Sequence, residues 1–210
     1  STIRRMPVRA RTEREDLEAV LDAGLICHLA LTVDGSPLVL PTGYGRDGDT
    51  LYLHGSTGAA SLRAGATGTP VCVAVTLVDG VVYARAVFHN SMNFRCAVVH
   101  GNAVPVTDDD TKLRALRIIT EHLAPGSWDY ARQPTRKELA ATAVLAVDLT
   151  ESSVKIRATG PGDEPDEIAE GSLWAGVLPL RQVWDAPVGS PDLPHATPVP
   201  PHVLGRHTPC

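Results

Sequence analysis

The chain lacks any run of ~18 apolar residues, the length a helix needs to cross a bilayer, so no membrane partner is expected. Its first residues, STIRRMPVRARTERED, hold no apolar stretch of the kind a secretory leader carries, which points to a cytoplasmic setting. It lacks a CxxC pair: Cys27, Cys72, Cys96 and Cys210 are scattered, and Cys27 and Cys72 lie inside apolar runs as small hydrophobes in a reducing compartment. Its eight histidines show no HExxH or other short ligand spacing, so no metal site is expected. It lacks a net positive charge, with a formal value of −5, which argues against nucleic acid as a partner. The basic RRMPVRAR stretch is short and reads as a solvated arm. P-loop and GxSxG motifs are missing. The hydrolase chemistry that GxSxG would announce therefore has no visible nucleophile.

What is there suits one packed core. With 210 residues and 43% hydrophobic content, the chain is long enough for a single domain, placed over residues 1–186. A proline-rich tail follows over 187–210, either disordered or lying as an extended arm on a neighbouring surface. Thr12 and Glu15 have capping-box spacing and open a helix over 13–23, stopped by Gly24. Short apolar runs follow: ICHLALTV, PLVLPTGY, TLYLH, PVCVAVTLV and VVYARAVF. Asp-Gly separates such runs three times and predicts a hairpin each time. FRCAVVHGNAVPV predicts a long strand broken near Gly101. The period then changes. Leu113, Leu116, Ile119 and Leu123 recur at helical spacing behind three aspartates, giving a helix over 108–124. Thr135 caps a shorter helix, RKELAAT, and AVLAVDLT and SSVKIRAT add two strands. GPGDEPDEIAEG reads as a loop, and WAGVLPLRQVW as a docked apolar cluster. Strands in up-and-down order with tight hairpins exclude a Rossmann alternation and favour a small closed or half-closed barrel, mainly β with flanking helices.

Four stretches carry candidate chemistry. In LYLHGSTGAASLR a strand passes to a short helix through small hydroxyl residues. It is either a plain connection or an anion cradle, with Gly55 for close approach, Ser56, Thr57 and Ser61 as donors, and Arg63 as the charge. In PTGYGR, Pro41 and Thr42 either end a strand or face a planar ring, with Tyr44 or Arg46 at the rim. FHNSMNFRC packs polar side chains, among them Asn93, Arg95 and Cys96, between two apolar strands. Trp174 either anchors the C-terminal segment or stacks on a cofactor.

PTGYGRDGDTLYLHGSTG, PVCVAVTLVDGVVYARAVFHNSMNFRCAVVHGNA and WAGVLPL, in that order, resemble the pyridoxamine 5′-phosphate oxidase-like, FMN-binding split-barrel superfamily. The similarity is to its branch of nitroimidazole-resistance proteins and actinobacterial flavoproteins, and it runs from about Thr12 to Leu180. It implies a six-stranded split barrel, a homodimer, and FMN sites built from both subunits. Pro41, Thr42 and Tyr44 would lie along the flavin ring. His54, Gly55, Ser56 and Thr57 would sit beside the phosphate, and Asn93, Arg95 and Cys96 would approach from the partner. Trp174 would close the site. Two departures stand out. Ala59 and Ala60 replace the residues that usually grip the phosphate, a loss of roughly 1.5–3 kcal/mol per charge-assisted bond, which Arg63 would have to make good. MNFRC replaces MNYRS, so Phe94 lacks a phenol and Cys96 replaces a serine.

The implied activity is an FMN-dependent oxidoreductase acting on a small planar substrate. NAD(P)H is one possible electron source, and His54 either donates a proton or only contacts the phosphate. The alternatives keep the barrel and change the occupant: haem, with His54 and His89 as axial ligands, F420, or a non-enzymatic binding protein.

Overall fold

The computed structural model describes residues 10–11, 13–194 and 197–206. Strand β2 (Ile26–Val33) buries Cys27, Leu29 and Leu31 and turns the residues between them outward, the two-residue period of a strand with one face in a core. Asp34 and Gly35 both take positive φ, 49° and 77°, as a type I′ turn demands, and deliver the chain to β3 (Ser36–Asp47). Gly48, at φ 55°, opens the second tight turn into β4 (Thr50–Ser56).

The third Asp-Gly is not a hairpin. β5 runs unbroken from Pro70 to Tyr83, and its register against β6 (Ser91–Asn102) slips between Val78 and Gly80, leaving Asp79 as a bulged residue. The bulge reverses the alternation: Val71, Val73 and Val75 face the core before it, Gly80 and Val82 after it. Apolar side chains on both sides of the bulge stay buried only in this way. The real turn lies further on, at the 3₁₀ turn Val87–His89. The strand break expected near Gly101 falls at Ala103, before β7 (Val104–Pro105).

Helix α1 (Arg14–Ala23) has Glu13 at its N-cap position, with no side-chain cap bond; the Thr12 cap lies outside the described residues, as does most of the basic arm. Ala10–Arg11 form β1, paired with β9 (Ser152–Arg157). Helix α2 (Ala60–Gly65) carries the chain from β4 to β5, which pairs with β2 rather than β4, so the order is not up-and-down. α3 (Asp109–Leu123) is capped by Asp108, whose carboxylate accepts from Thr111 N. After α4 (Ser127–Tyr130), Thr135 and Glu138 close a reciprocal capping box on α5 (Arg136–Ala141). β8 (Thr142–Asp148) follows. The acidic segment expected as loop holds α6 (Pro165–Glu170), started by Pro165 and a Glu164–Glu167 box. WAGVLPL docks as β10 (Gly176–Pro179) on β5. The proline-rich tail contains α7 (Pro201–Leu204), one turn begun by its own prolines.

The strands run β1-β9-β6-β5-β2-β3-β4-β8-β7, with β10 added to β5. All pairings are antiparallel. The sheet curls into a split barrel around Leu21, Leu29, Tyr44, Leu51, Leu145 and Leu149. Among the described residues no helix is long and apolar enough to cross a membrane.

Candidate functional site

The barrel is split where β3 changes partner. From Asp47 to Tyr44 it pairs with β4; from Gly43 to Ser36 it pairs with β2. β4 meanwhile stays on β8 through Ser56. The two strands part, so Pro41–Gly43 and His54–Ser56 flank one seam with no ladder between them. An unpaired strand edge presents a row of N–H and C=O groups, here on a wall that two of the four candidate stretches share.

Glycine makes the corner. A Cβ at Gly45 would lie 2.8 Å from Ile119 N and 2.9 Å from Ile118 C, and one at Gly43 would lie 2.8 Å from Leu123 Cδ1. Gly45 lets α3 press its backbone onto the outer face of β3, and Gly43 makes room for the Leu123 side chain. Tyr44 points the other way. It is fully buried, and its hydroxyl donates to Leu21 O (2.5 Å) and approaches Gly24 O (2.9 Å). The expectation that Tyr44 or Arg46 stands at a flavin rim is therefore corrected. Tyr44 closes the C-terminal end of α1. Arg46 grips Asp22 at 2.6 and 2.8 Å. On the seam itself, Pro41 is exposed and Thr42 half-buried, its hydroxyl donating to Gly43 O at 3.3 Å.

His54 lies on the face of β4 opposite the core residues Leu51 and Leu53. It is half-buried, and its buried Nδ1 has no hydrogen-bond partner among the described residues. Desolvation by burial lowers its pKa, which favours the neutral imidazole. Gly55 faces Leu62, whose Cδ2 would be 3.1 Å from a Cβ there.

The loop beyond is closed on itself. Thr57 N donates to Ala141 O, Gly58 N to Ser56 Oγ and Ala59 N to Ser56 O. Arg63 does not reach outward as a phosphate grip; its guanidinium donates to Gly58 O. Ser61 is buried within α2.

The remaining candidates stand apart from the seam in the protomer. The buried Asn93 Oδ1 accepts from Arg157 and from Thr159 N (3.2 Å). Arg95 is bonded through Nε and Nη2 to the bulged Asp79 at 2.7–3.2 Å. The Cys96 thiol accepts from Thr76 at 3.4 Å. Trp174 is 70% exposed and leans on Tyr83, ring centroids 6.0 Å apart. His89 faces Glu167 at 3.7 Å. Two groups escaped the sequence reading. Arg157 is a buried cation in a strand that looked like any amphipathic strand. His202 and Arg206 come from the tail, whose prolines hid any pattern, and they meet Trp184, the last residue of the apolar cluster WAGVLPLRQVW.

This geometry, a β3 shared between two arms of an antiparallel barrel with an open seam at the exchange, defines a split-barrel protein of the pyridoxamine 5′-phosphate oxidase-like class. The family model for pyridoxamine 5′-phosphate oxidase matches residues 13–156, and the chain belongs to that family. It is similar over almost its whole length to the FAD and haem binding protein from Mycobacterium smegmatis. That match has 42% identity and a TM-score of 0.91, and covers 95% of this chain and 98% of that one. The flavocytochrome Anf3 from Azotobacter vinelandii is 34% identical, also with a TM-score of 0.91, over 96% of this chain and 94% of its own. A Bacteroides thetaiotaomicron structure, described as a 5-nitroimidazole antibiotic resistance protein, shares the fold at 22% identity and a TM-score of 0.61. It covers 70% of this chain and 86% of that one. No curated protein matches the chain.

Proposed function

We propose that this chain is a flavin-dependent redox protein that works as a homodimer, with a flavin dinucleotide along the β3–β4 seam and a haem as second redox group. The seam, with a neutral imidazole at its edge and no free cation on its loop, carries the reading. The kinship with two proteins described as an FAD and haem binder and a flavocytochrome supports it.

The residues fit a dinucleotide better than FMN. The terminal phosphate of FMN carries close to two negative charges and calls for a cation. Here Ala59 and Ala60 supply none, Arg63 is spent on Gly58 O, and the N–H groups of Thr57, Gly58 and Ala59 are bonded. A diphosphate linkage bears one charge per phosphorus and leaves the adenosine end to add binding elsewhere. The unpaired edge at Pro41–Gly43 offers backbone carbonyls, and N–H only beyond Pro41, to the polar rim of a flat ring, and Thr57 adds a hydroxyl.

For haem, one requirement is a neutral imidazole with an uncommitted nitrogen. His54 supplies the neutral ring, since burial disfavours its charged form. When bound, the flavin supplies two-electron and the haem one-electron chemistry. The chain's part is to exclude water, orient the ring and keep the imidazole unprotonated. NAD(P)H is the proposed electron donor, and the free thiols of Cys27, Cys72 and Cys96 suit a reducing cytoplasm.

The proposed dimer rests on a continuous apolar surface. Val81 is paired with both Met92 and Leu178, Tyr83 touches Trp174, and all five are exposed. Phe88 at the adjoining turn is 91% exposed. Patches of this kind mark interaction sites.

The test is the absorption spectrum of the purified protein, with mass spectrometry of the acid-released ligand. FAD together with a Soret band is expected. His54→Ala should lose the Soret band and keep the flavin. A colourless protein whose melting temperature does not rise with added flavin refutes the reading.

A further inference from the structure

The chain after β10 folds back against the end of α1 and against α3 and α4. Gln182, Val183 and Trp184, together with His202, Gly205 and Arg206, lie against the loop after α1 and the end of α3. They close a cavity of about 640 Å³ that also touches Asp22, Leu25, His122 and Pro125. A second cavity of about 500 Å³ adjoins it and shares Pro125, Trp184, His202 and Arg206. The volume lies in the range of roughly 300–1,000 Å³ typical of small-molecule sites. The arm is anchored: His202 rests on the Tyr130 ring at 4.9 Å, and a Cβ at Gly126 would collide with His202 at 2.7 Å.

Asp22 is the carboxylate of the first cavity, and both its oxygens are taken by Arg46; Asp185 lines the second. Arg206 has no carboxylate partner among the described residues; its guanidinium lies over the Trp184 ring, 3.9 Å from the centroid. His122 donates its Nε2–H to Gly24 O at 2.6 Å, which fixes its ring. A planar aromatic surface and a guanidinium without a counter-ion among the described residues together suit a flat base attached to an anionic linker. The cavity approaches the β3 corner through α3: His122 precedes Leu123, whose side chain lies against Gly43.

We infer that this arm cavity binds the adenosine diphosphate end of a dinucleotide, the base against Trp184 and the diphosphate toward Arg206. The inference rests on the proposed flavin reading for its occupant, and two dinucleotides carry this group: FAD itself, or the reduced nicotinamide donor.

Calorimetry with ADP and titrations with FAD and FMN test it on the full chain, with Trp184→Ala and Arg206→Ala as variants. ADP binding is expected, weakened roughly five- to hundred-fold by Trp184→Ala, the range for loss of a stacked base. If FAD is the source, the variants weaken FAD by a similar factor and leave FMN unchanged, and ADP competes with FAD uptake. If the donor is the source, flavin affinities hold while the KM for NADH rises and ADP competes with NADH. Flavin uptake without ADP binding, or variants that match wild type for ADP, FAD and NADH alike, overturns the assignment. ADP binding by a protein that takes up no flavin sinks the flavin reading and leaves the cavity assigned. Trp184 is half-exposed, so its truncation leaves no core void, and an unchanged melting temperature confirms that the variants fold.

Discussion

At the scale of single residues, Tyr44 and His54 show how one strand corner divides structural from chemical duty. Tyr44 spends its hydroxyl on two carbonyls that the end of α1 leaves without helical partners. Tyr44→Phe strips the buried Leu21 O of this donor, while Gly24 O keeps the His122 Nε2–H, and a loss of about 1–3 kcal/mol is expected in urea unfolding. Its visible motif, PTGYG, suggested a ring-facing tyrosine, because a sequence does not say which way a strand residue turns when the strand bends. His54 has the opposite character. Burial lowers its pKa, so the folded ligand-free chain declines a proton that the unfolded chain accepts near pH 6.5. Stability contributed by the neutral ring is present above that pH and falls as pH drops through about 6.5 toward the lower folded value. Thermal melts of the apo-protein between about pH 7.5 and 5.5 should show a shallower decline in His54→Asn than in wild type.

At the scale of elements, two contacts between helix and strand decide where the seam opens. Gly45 lets α3 lie on β3 with backbone in contact, Gly43 makes room for the Leu123 side chain, and the bend there sends one half of β3 to β2 and the other to β4. Gly45→Ala puts a methyl group against Ile118 and Ile119 backbone, which has no flexible end to give way. A loss of about 1–3 kcal/mol is expected, with weaker flavin retention because α3 is displaced from the seam; equilibrium unfolding and flavin titration measure the two effects. The third Asp-Gly makes the complementary point. Locally it carried the same hairpin signal as the first two, yet β5 keeps its full length because β6 and β10 both pair with its far half. Asp79 then becomes a bulge that holds Arg95.

At the scale of the whole molecule, the far half of β5, β10 and the Val87–His89 turn present apolar side chains that nothing among the described residues covers. The proposed second copy covers them. Met92→Lys places a charge at the centre of this surface without touching the core, and a shift from dimer to monomer is expected in sedimentation velocity, with loss of bound flavin. A wild-type protein that sediments as a monomer would refute the dimer. The tail belongs to this scale too, since its arm reaches α3 and α4, which lie far from it in sequence.

The sequence by itself determined most of the elements. Alternation placed the residues of β2 and β4, Asp-Gly with positive φ made two hairpins, and Asp108 and Thr135 started α3 and α5, because each signal acts within a few residues. It also carried the family and brought the PTG and HGST stretches forward. Only the tertiary structure decided that these two stretches flank one seam, that Tyr44 and Arg46 serve α1, that Arg63 closes its own loop, and that the tail builds a cavity. Those outcomes depend on which strand β3 pairs with and which surface a helix or arm meets. Partners brought together from distant parts of the chain are chosen by packing, and packing leaves no local mark in the order of residues.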